Sequence, residues 1–201
     1  MSSVVIAGNT SGSVTLSAPD VAGTTTLTLP STSGNVITSA NLSSNLPAGS
    51  VLQVVSTTKT DTFTTTSTAF TTITGLTASI TPSSSTSKIL IIFSVTGSQE
   101  VNTNDAYIGL FRDSTQIALG DAAGSRIRYS FLLNTSNASW STIGSMNFLD
   151  SPSTTSAISY SVRARTPSSG TLYINRGQND SDGAFGASRT VSSITVMEIK
   201  A

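Results

Sequence analysis

The sequence predicts an all-β protein: an antiparallel, jelly-roll-like β-sandwich preceded by a short hairpin or extended N-terminal segment. The 201 residues include 38 Ser and 33 Thr, and Thr favours strands while Ser favours turns. Short apolar segments recur between clusters of Gly, Asp, Asn, Ser and Pro, as they do in sandwiches and barrels. No segment has a convincing helical period. A net charge of +0 argues against disorder, which usually needs high net charge.

Charge divides the chain into two regions. Asp20 is the only charged side chain before Lys59, and all the others lie from Lys59 onward. Pro47 and Gly49 precede an apolar strand that starts at Val51, and Pro and Gly commonly mark boundaries between elements. We therefore expect an attachment or oligomerisation segment at 1–50 and a head domain at 51–201.

The first region contains one predicted hairpin, with arms at 13–18 and 24–30. Val14 and Leu16 alternate with hydroxyl residues, and the second arm alternates in the same way around Leu27. This is the period of a half-buried strand. Because an isolated hairpin is marginal in water, we expect its apolar face to be covered by other copies or by a partner protein. A loose polar tail is the alternative that composition leaves open.

The second region reads as a series of strands. We predict them at 51–55, 62–65, 69–80, 88–96, 106–112, 116–120, 125–133, 139–149, 157–165, 171–176 and 190–199. Residues 89–93 are apolar at every position, which indicates a central strand. In 157–165, Arg163 and Arg165 alternate with apolar residues, which indicates a strand with one wet face.

Composition excludes several kinds of chemistry. With no His and no Cys, the chain lacks the side chains for a Ser-His-Asp or Cys-His nucleophile, a disulfide or an ordinary zinc site. Ten basic and ten acidic residues leave no excess of positive charge that would attract nucleic acid or anionic lipid. The longest apolar run is far below the ~18 residues that span a bilayer. No nucleotide-binding or hydrolase motif occurs, so we expect no cofactor and no membrane insertion.

Acidic residues supply the first candidate site. If successive strands alternate in direction, six carboxylates fall in loops at one end of the sandwich. They are Glu100, Asp105, Asp121, Asp150, Asp180 and Asp182. Such an end suits a cation or a basic partner.

Neither metal binding nor catalysis follows from these carboxylates. The turn at 179–183 has an acidic composition that suits Ca²⁺, but it lacks the remaining ligand spacing, so we interpret it as a turn without a metal. A glycosidase needs a fixed pair of carboxylates, and no motif fixes one. We expect the chain not to be an enzyme.

Aromatic residues supply the second set of candidates, because ring faces can stack on sugars. Trp140 follows a polar loop, and Phe185 lies in a Gly-rich loop, which makes it the most suggestive of the set. Tyr107 and Tyr129 belong to the same group. For an aromatic residue within a strand, a role in the core is favoured over a role in binding.

Particular residues carry a resemblance to a known family. Residues 11–38 resemble a segment common in tail-fibre-like proteins of tailed bacteriophages, notably those that infect cyanobacteria and marine bacteria. The second region is similar to the C-terminal heads of such proteins. The stretches that carry this similarity are 46–55, 73–91, 149–162, 170–176 and 192–199.

The resemblance implies a virion protein that is made in the host cytoplasm and assembles as a homotrimer. Its N-terminal segment would attach to other tail or baseplate proteins. Its head would bind a host surface glycan or protein, with weak contacts multiplied by avidity. The chain has almost no shaft, so a whole receptor-binding fibre, a short fibre, and a tip or decoration protein mounted on a larger structure all stay open. The alternatives are a capsid or baseplate decoration protein without a receptor role and a polysaccharide depolymerase.

Overall fold

A computed structural model describes most of the chain. The residues it describes are 3–7, 9–17, 19–21, 23–24, 26, 31–33, 37, 42–100, 106–134, 140–167, 170–184 and 187–201. The chain forms two compact units, 1–41 and 42–201, whereas the sequence placed the boundary at residue 50.

In the described residues of the N-terminal unit, β1 (Ser3–Ala7) and β2 (Ser13–Ser17) form an antiparallel hairpin. Val4 lies opposite Leu16 and Ile6 lies opposite Val14. Because side chains alternate along a strand, these four residues share one face. Each is more than half exposed, so the hairpin presents an aliphatic face to its surroundings.

One arm of the predicted hairpin is present, and most of its other arm lies outside the described residues. A strand is present at 13–17, but the sequence analysis did not identify Ser3–Ala7 as its partner. In the predicted arm 24–30, Leu27 and the three residues after it lie outside the described part of the chain.

The described residues of the second unit form a helical turn followed by eleven strands. The helical turn α1 spans Leu42–Asn45. The strands are β3 (Val51–Lys59), β4 (Phe63–Thr65), β5 (Thr71–Ile80), β6 (Lys88–Gln99), β7 (Ala106–Arg112), β8 (Thr115–Ile117), β9 (Phe131–Leu133), β10 (Thr142–Asp150), β11 (Ile158–Arg165), β12 (Leu172–Ile174) and β13 (Ser192–Ile199).

Six of these strands form one sheet around β6. Strand β10 pairs along one edge of β6, and β13 and β12 pair one after the other along the opposite edge. Strand β3 lies outside β13, and β4 lies outside β12. The prediction that 89–93 is a central strand is therefore confirmed, since β6 is paired on both edges.

The other five strands form a second sheet in the order β5-β11-β7-β8. Strand β11 pairs with one edge of β7, and both β8 and β9 pair with the opposite edge. All pairings in both sheets are antiparallel.

The two sheets pack around one apolar core. Strands β6 and β13 contribute alternate residues from the first sheet, and β5, β7 and β11 contribute alternate residues from the second. Fully buried examples are Ile91, Phe93, Leu110, Val162 and Val196. The predicted all-β, antiparallel, sandwich-like fold is confirmed. Within the described ranges, no helix is long and apolar enough to cross a bilayer.

The prediction that six carboxylates lie at one end of the sandwich is wrong, because two of the connecting segments do not reverse the direction of the chain. Strands β8 and β9 both run antiparallel to β7. The segment between them therefore starts and finishes at the same edge of β7, and the chain continues in the same direction after it. Strands β12 and β13 relate to β6 in the same way. The predicted strands 116–120 and 125–133 were also too long. Ala118, which follows β8, has a φ of 54°, outside the range of a strand.

Candidate functional site

The strongest candidate site is the outer face of the five-stranded sheet. Along β11, Tyr160, Val162 and Ala164 are fully buried in the core. Alternation therefore directs Arg163 and Arg165 to the opposite face, where both are half-buried. The wet face predicted for this strand from sequence is confirmed.

Arg163 is held in place by neighbours on two strands. Its guanidinium lies 4.2 Å from the ring centroid of Phe111. It donates hydrogen bonds to Ser161 Oγ at 3.2 Å and to the carbonyl oxygen of Asp113 at 2.5 Å. A guanidinium that lies over an aromatic ring and donates two hydrogen bonds has little rotational freedom. The positive charge of Arg163 is therefore held in one position on this face.

Arg165 has aromatic neighbours but no polar partner among the described residues. Its guanidinium lies 5.7 Å from the ring centroid of Tyr107 and 6.0 Å from that of Phe70. Its Nε is buried and makes no hydrogen bond within the described part of the chain. A guanidinium has five N–H donors in a planar fork. Because the buried Nε cannot be reached from outside, only the terminal amino groups of this half-buried side chain are positioned to bind an external acceptor.

Aromatic rings surround the two arginines. Tyr107 and Tyr129 stack with centroids 4.7 Å apart, and Phe70 meets Phe111 edge to face at 5.4 Å. Together these side chains form what we call the arginine–aromatic face: Phe70, Tyr107, Phe111, Tyr129, Arg163 and Arg165.

A glycine allows the rings to approach the strand closely. A Cβ atom at Gly109 would lie 3.0 Å from Phe70 Cε1 and 3.1 Å from Phe111 Cε2, closer than ordinary van der Waals contact. Gly109 is paired with Arg163 across β7 and β11. The absence of a side chain at this position thus makes room for two rings beside the arginine.

Further positive charge lies beside this face. The segment between β8 and β9 supplies Tyr129 and carries Arg126 and Arg128, both exposed. Arg128 Nε donates to the carbonyl oxygen of Gly120 at 2.6 Å, and Gln116 Nε2 donates to the carbonyl oxygen of Arg128 at 3.1 Å. The segment that supplies Tyr129 thus carries two exposed arginines and also the exposed Asp121.

Asp150, one of the six predicted acids, is part of the interior. It is almost fully buried and accepts hydrogen bonds from Arg112 Nη1 at 2.9 and 3.0 Å and from the Tyr160 hydroxyl at 2.7 Å. Burial, followed by the hydrogen bond to Asp150, raises the pKa of Tyr160 far above its ordinary value. The cluster joins β10 of one sheet to β7 and β11 of the other, so Asp150 serves stability.

The other predicted acids are dispersed. Glu100 directly follows β6, at the end of the sheet opposite Asp150, because Asp150 pairs with Ile89 at the start of β6. Asp121 is exposed in the segment between β8 and β9. Asp105 lies outside the described residues.

Asp180 and Asp182 lie in the segment that leaves the edge of β6 between β12 and β13. Asp180 forms ion pairs with Arg189 and, at 2.9 Å, with Arg176. The hydrogen bond from Arg189 lowers the pKa of Asp180 below its ordinary value. The two acids line an open depression of about 430 Å³. Because Asp180 already has two cationic partners, this depression is not an acidic surface.

The predicted aromatic candidates have different outcomes. Trp140 is 56% exposed, so the interpretation that it belongs to the core is wrong and its ring is accessible. Tyr107 and Tyr129 form part of the arginine–aromatic face rather than the core. Phe185 lies outside the described residues.

The alternation along β11 predicted its solvent-facing side but not the site built on it. The sequence does not show which strands pair with each other. Phe111 and Tyr107 become neighbours of the arginines only through the pairing of β7 with β11. The alternation of Arg163 and Arg165 was the one available signal.

Among the described residues, no three His, Cys, Asp or Glu side chains come together as they would around a metal ion. No protein-family model and no curated protein sequence matches the chain.

Proposed function

We propose that this chain is a structural virion protein, a tail fibre or fibre tip, whose head adheres to the host cell surface. The resemblance of residues 11–38 and of the head to phage tail-fibre-like proteins supports the virion assignment. Arg165 supports the adhesive role, because its half-buried side chain lies beside two aromatic rings on the outer face of the sheet and makes no hydrogen bond to a described residue. Binding of a surface molecule is the use that best fits such a group.

We also propose that the chain assembles as a homotrimer through two apolar surfaces. One is the hairpin face of Val4, Ile6, Val14 and Leu16. The other is a row across the outer face of the six-stranded sheet, which we call the apolar row. It consists of Leu149, Leu90, Met197 and Val54, each paired with the next across neighbouring strands.

The two ends of the apolar row are accessible to a partner. Leu149 and Val54 are each 55% exposed. Contiguous apolar surfaces on soluble proteins usually mark interfaces. In this proposal, the N-terminal unit also attaches the trimer to other tail or baseplate proteins, and avidity across three heads compensates for weak individual contacts.

Cell binding tests the adhesive role. The labelled full-length chain is incubated with a panel of cyanobacterial and marine bacterial strains, and bound protein is measured by flow cytometry. We expect saturable binding to at least one strain and a loss of about tenfold or more for Arg165→Ala, since a hydrogen bond to a charged group contributes about 1.5–3 kcal/mol.

A matched control comes from the other sheet. Arg176 also lies over an aromatic ring, at 4.4 Å from the centroid of Tyr173, but it is paired with Asp180. Arg176→Ala should leave cell binding unchanged. If no strain is bound, or if the two variants lose binding equally, the adhesive role of this face is wrong and the decoration-protein alternative is favoured.

A further inference from the structure

We infer that the arginine–aromatic face binds an acidic glycan, through an oxyanion on the sugar held by Arg165 and the sugar ring placed against the neighbouring aromatic side chains. This inference rests on the proposed adhesive function and names the class of ligand for that same face.

The charge of the face favours an anionic ligand over a neutral one. Arg163 and Arg165 stand on alternate positions of one strand, so their Cα atoms are about 7 Å apart in an extended chain. Within the described residues, neither forms an ion pair with a carboxylate: Arg163 donates to a hydroxyl and a carbonyl oxygen, and Arg165 has no polar partner. The described residues therefore supply no ion-pair partner for either guanidinium.

The shape of the arginine donor group favours an oxyanion with two oxygens. A guanidinium presents two parallel N–H groups, which match the paired oxygens of a carboxylate and also those of a sulfate ester. The ring contacts of Arg165 with Tyr107 and Phe70 restrict its orientation and reduce the side-chain entropy lost on binding. Arg165 is thus preorganised for such a group.

The aromatic rings favour a sugar over a free inorganic ion. The four rings form two touching pairs on the outer side of the sheet. Phe111 is buried, so the rings that a sugar can reach are the half-buried Phe70, Tyr107 and Tyr129. A ring face is apolar and can cover the C–H groups on one side of a sugar. A free anion would need the arginines but not the rings.

The distribution of polar groups also indicates a ligand that extends along the sheet. Thr72 lies beside Arg163 on β5 and Thr77 beside Ser161, so hydroxyl groups continue from the arginines across the next strand. Thr77 is exposed and Thr72 is half-buried. Hydroxyls that donate and accept suit the hydroxyls of the sugars next to the charged one.

Calorimetry with defined polysaccharides tests the inference on the full-length chain. The probes are oligogalacturonate, which carries carboxylates, dextran sulfate, which carries sulfate esters, and neutral dextran. A single-stranded oligonucleotide serves as a non-glycan polyanion. We expect one of the two acidic glycans to bind at least about tenfold more tightly than dextran or the oligonucleotide, and the stronger of the two identifies the oxyanion. Binding should weaken as salt is raised, because exposed charges are screened.

A charge-retaining substitution at Arg165, with a control at Arg176, tests whether the shape of the guanidinium matters as well as its charge. Arg165→Lys keeps the charge but removes the planar fork, so we expect it to weaken binding of the acidic glycan about fivefold or more. Arg176→Ala should bind like the unchanged protein. Equal binding of dextran and both acidic glycans, equal binding of the oligonucleotide, or full binding by Arg165→Lys would overturn the inference.

The cell-binding experiment distinguishes failure of this inference from failure of the proposed function. If the protein binds cells through Arg165 but binds neither acidic glycan, the ligand class is wrong and the adhesive role stands. If it binds neither cells nor glycans, both fail.

Discussion

Tyr160 donates its hydroxyl hydrogen to Asp150 Oδ2 at 2.7 Å and so links the two sheets of the head. Tyr160 is fully buried, and Asp150 is almost so. Arg112 binds both oxygens of the same carboxylate, and Ser151 N donates to Oδ1 at 2.9 Å. A buried carboxylate is tolerated only with such partners, and here they come from both sheets.

Removing this carboxylate should destabilise the head strongly. Asp150→Ala leaves the Tyr160 hydroxyl and the Arg112 guanidinium without their acceptor, and we expect a loss of about 3 kcal/mol in the free energy of unfolding. Tyr160→Phe removes a single hydrogen bond and should cost about 1–2 kcal/mol. Urea denaturation at one protein concentration measures both. An Asp150→Ala loss no larger than that of Tyr160→Phe would contradict the structural role of the cluster.

Asn175 should be one of the least replaceable residues of the head. Its side chain donates to the carbonyl oxygens of Lys59 and Asp61 at 2.8 and 2.9 Å and accepts from Ser192 Oγ at 2.7 Å. It is fully buried with a φ of 61°, a conformation that Asn tolerates better than most residues.

Substitutions at Asn175 separate the hydrogen bonds from the backbone conformation. Asn175→Gly keeps the backbone freedom but removes three hydrogen bonds, which should cost about 3 kcal/mol. Asn175→Ala adds backbone strain of about 1 kcal/mol or more. The exposed Asn147→Ala is the control and should change the unfolding midpoint little. Equal midpoints for the Asn175 and Asn147 variants would show that the network is not needed.

Glu198 should make stability depend on acid pH. It is fully buried and accepts hydrogen bonds from Ser83 N and Oγ at 2.7 Å and from Gln53 Nε2 at 2.6 Å. Burial alone would raise its pKa, but the hydrogen bonds from Ser83, Gln53 and Ser87 outweigh burial and lower the pKa below its ordinary value of 4.5.

The sign of this effect follows from proton linkage. Because the folded pKa is the lower one, the contribution is present above pH 4.5 and is lost as pH falls through the folded pKa. Asp61 and Asp180 also have lowered pKa values, so acid destabilisation will not vanish in a variant. Glu198→Gln should nevertheless show a shallower loss between pH 5 and pH 3, measured by thermal unfolding. Identical slopes would contradict a role for Glu198.

The apolar row should be needed for assembly. Leu149→Glu places a charge at the end of the row, and it should reduce the mass measured by light scattering from that of a trimer toward that of a monomer. Ile6→Glu tests the hairpin face in the same way. Ser79→Glu, on the outer face of the other sheet, is the control. A trimer that persists in Leu149→Glu would exclude the apolar row from the interface, and a monomeric unchanged protein would refute the trimer.

Gly144 should not tolerate a side chain. A Cβ atom there would lie 2.3 Å from Phe131 Cε2, and the Phe131 ring itself stacks against Phe93 with centroids 5.5 Å apart. Gly144→Val must displace a ring at the contact between the two sheets, which should cost about 1–3 kcal/mol. Gly120→Val, where nothing lies within 4 Å of the added atom, is the matched control in denaturation. A Gly144→Val variant as stable as that control would contradict the close packing.

The strands were readable from the sequence because alternation is local. Residues 89–93, apolar on both faces, form part of the central strand, and Arg163 and Arg165 lie on the wet side of β11 as expected. The acidic end failed because its prediction needed the direction of every strand. Strands β8 and β9 run in the same direction along β7, and β12 and β13 do so along β6. No local sequence pattern distinguishes such a pair from two strands joined by a reversal of the chain.

The sequence by itself determined the kind of protein this is: an all-β chain rich in hydroxyl side chains, without His or Cys chemistry, with its charges confined almost wholly to the head. Only the tertiary structure decided which charges are available. It places Asp150 in the interior with Arg112 and pairs Asp180 with two arginines, while Arg165 lies among aromatic rings without a described polar partner. The physical reason is that alternation depends on the backbone of a single strand, whereas the neighbours of a side chain depend on pairing between strands far apart in the chain.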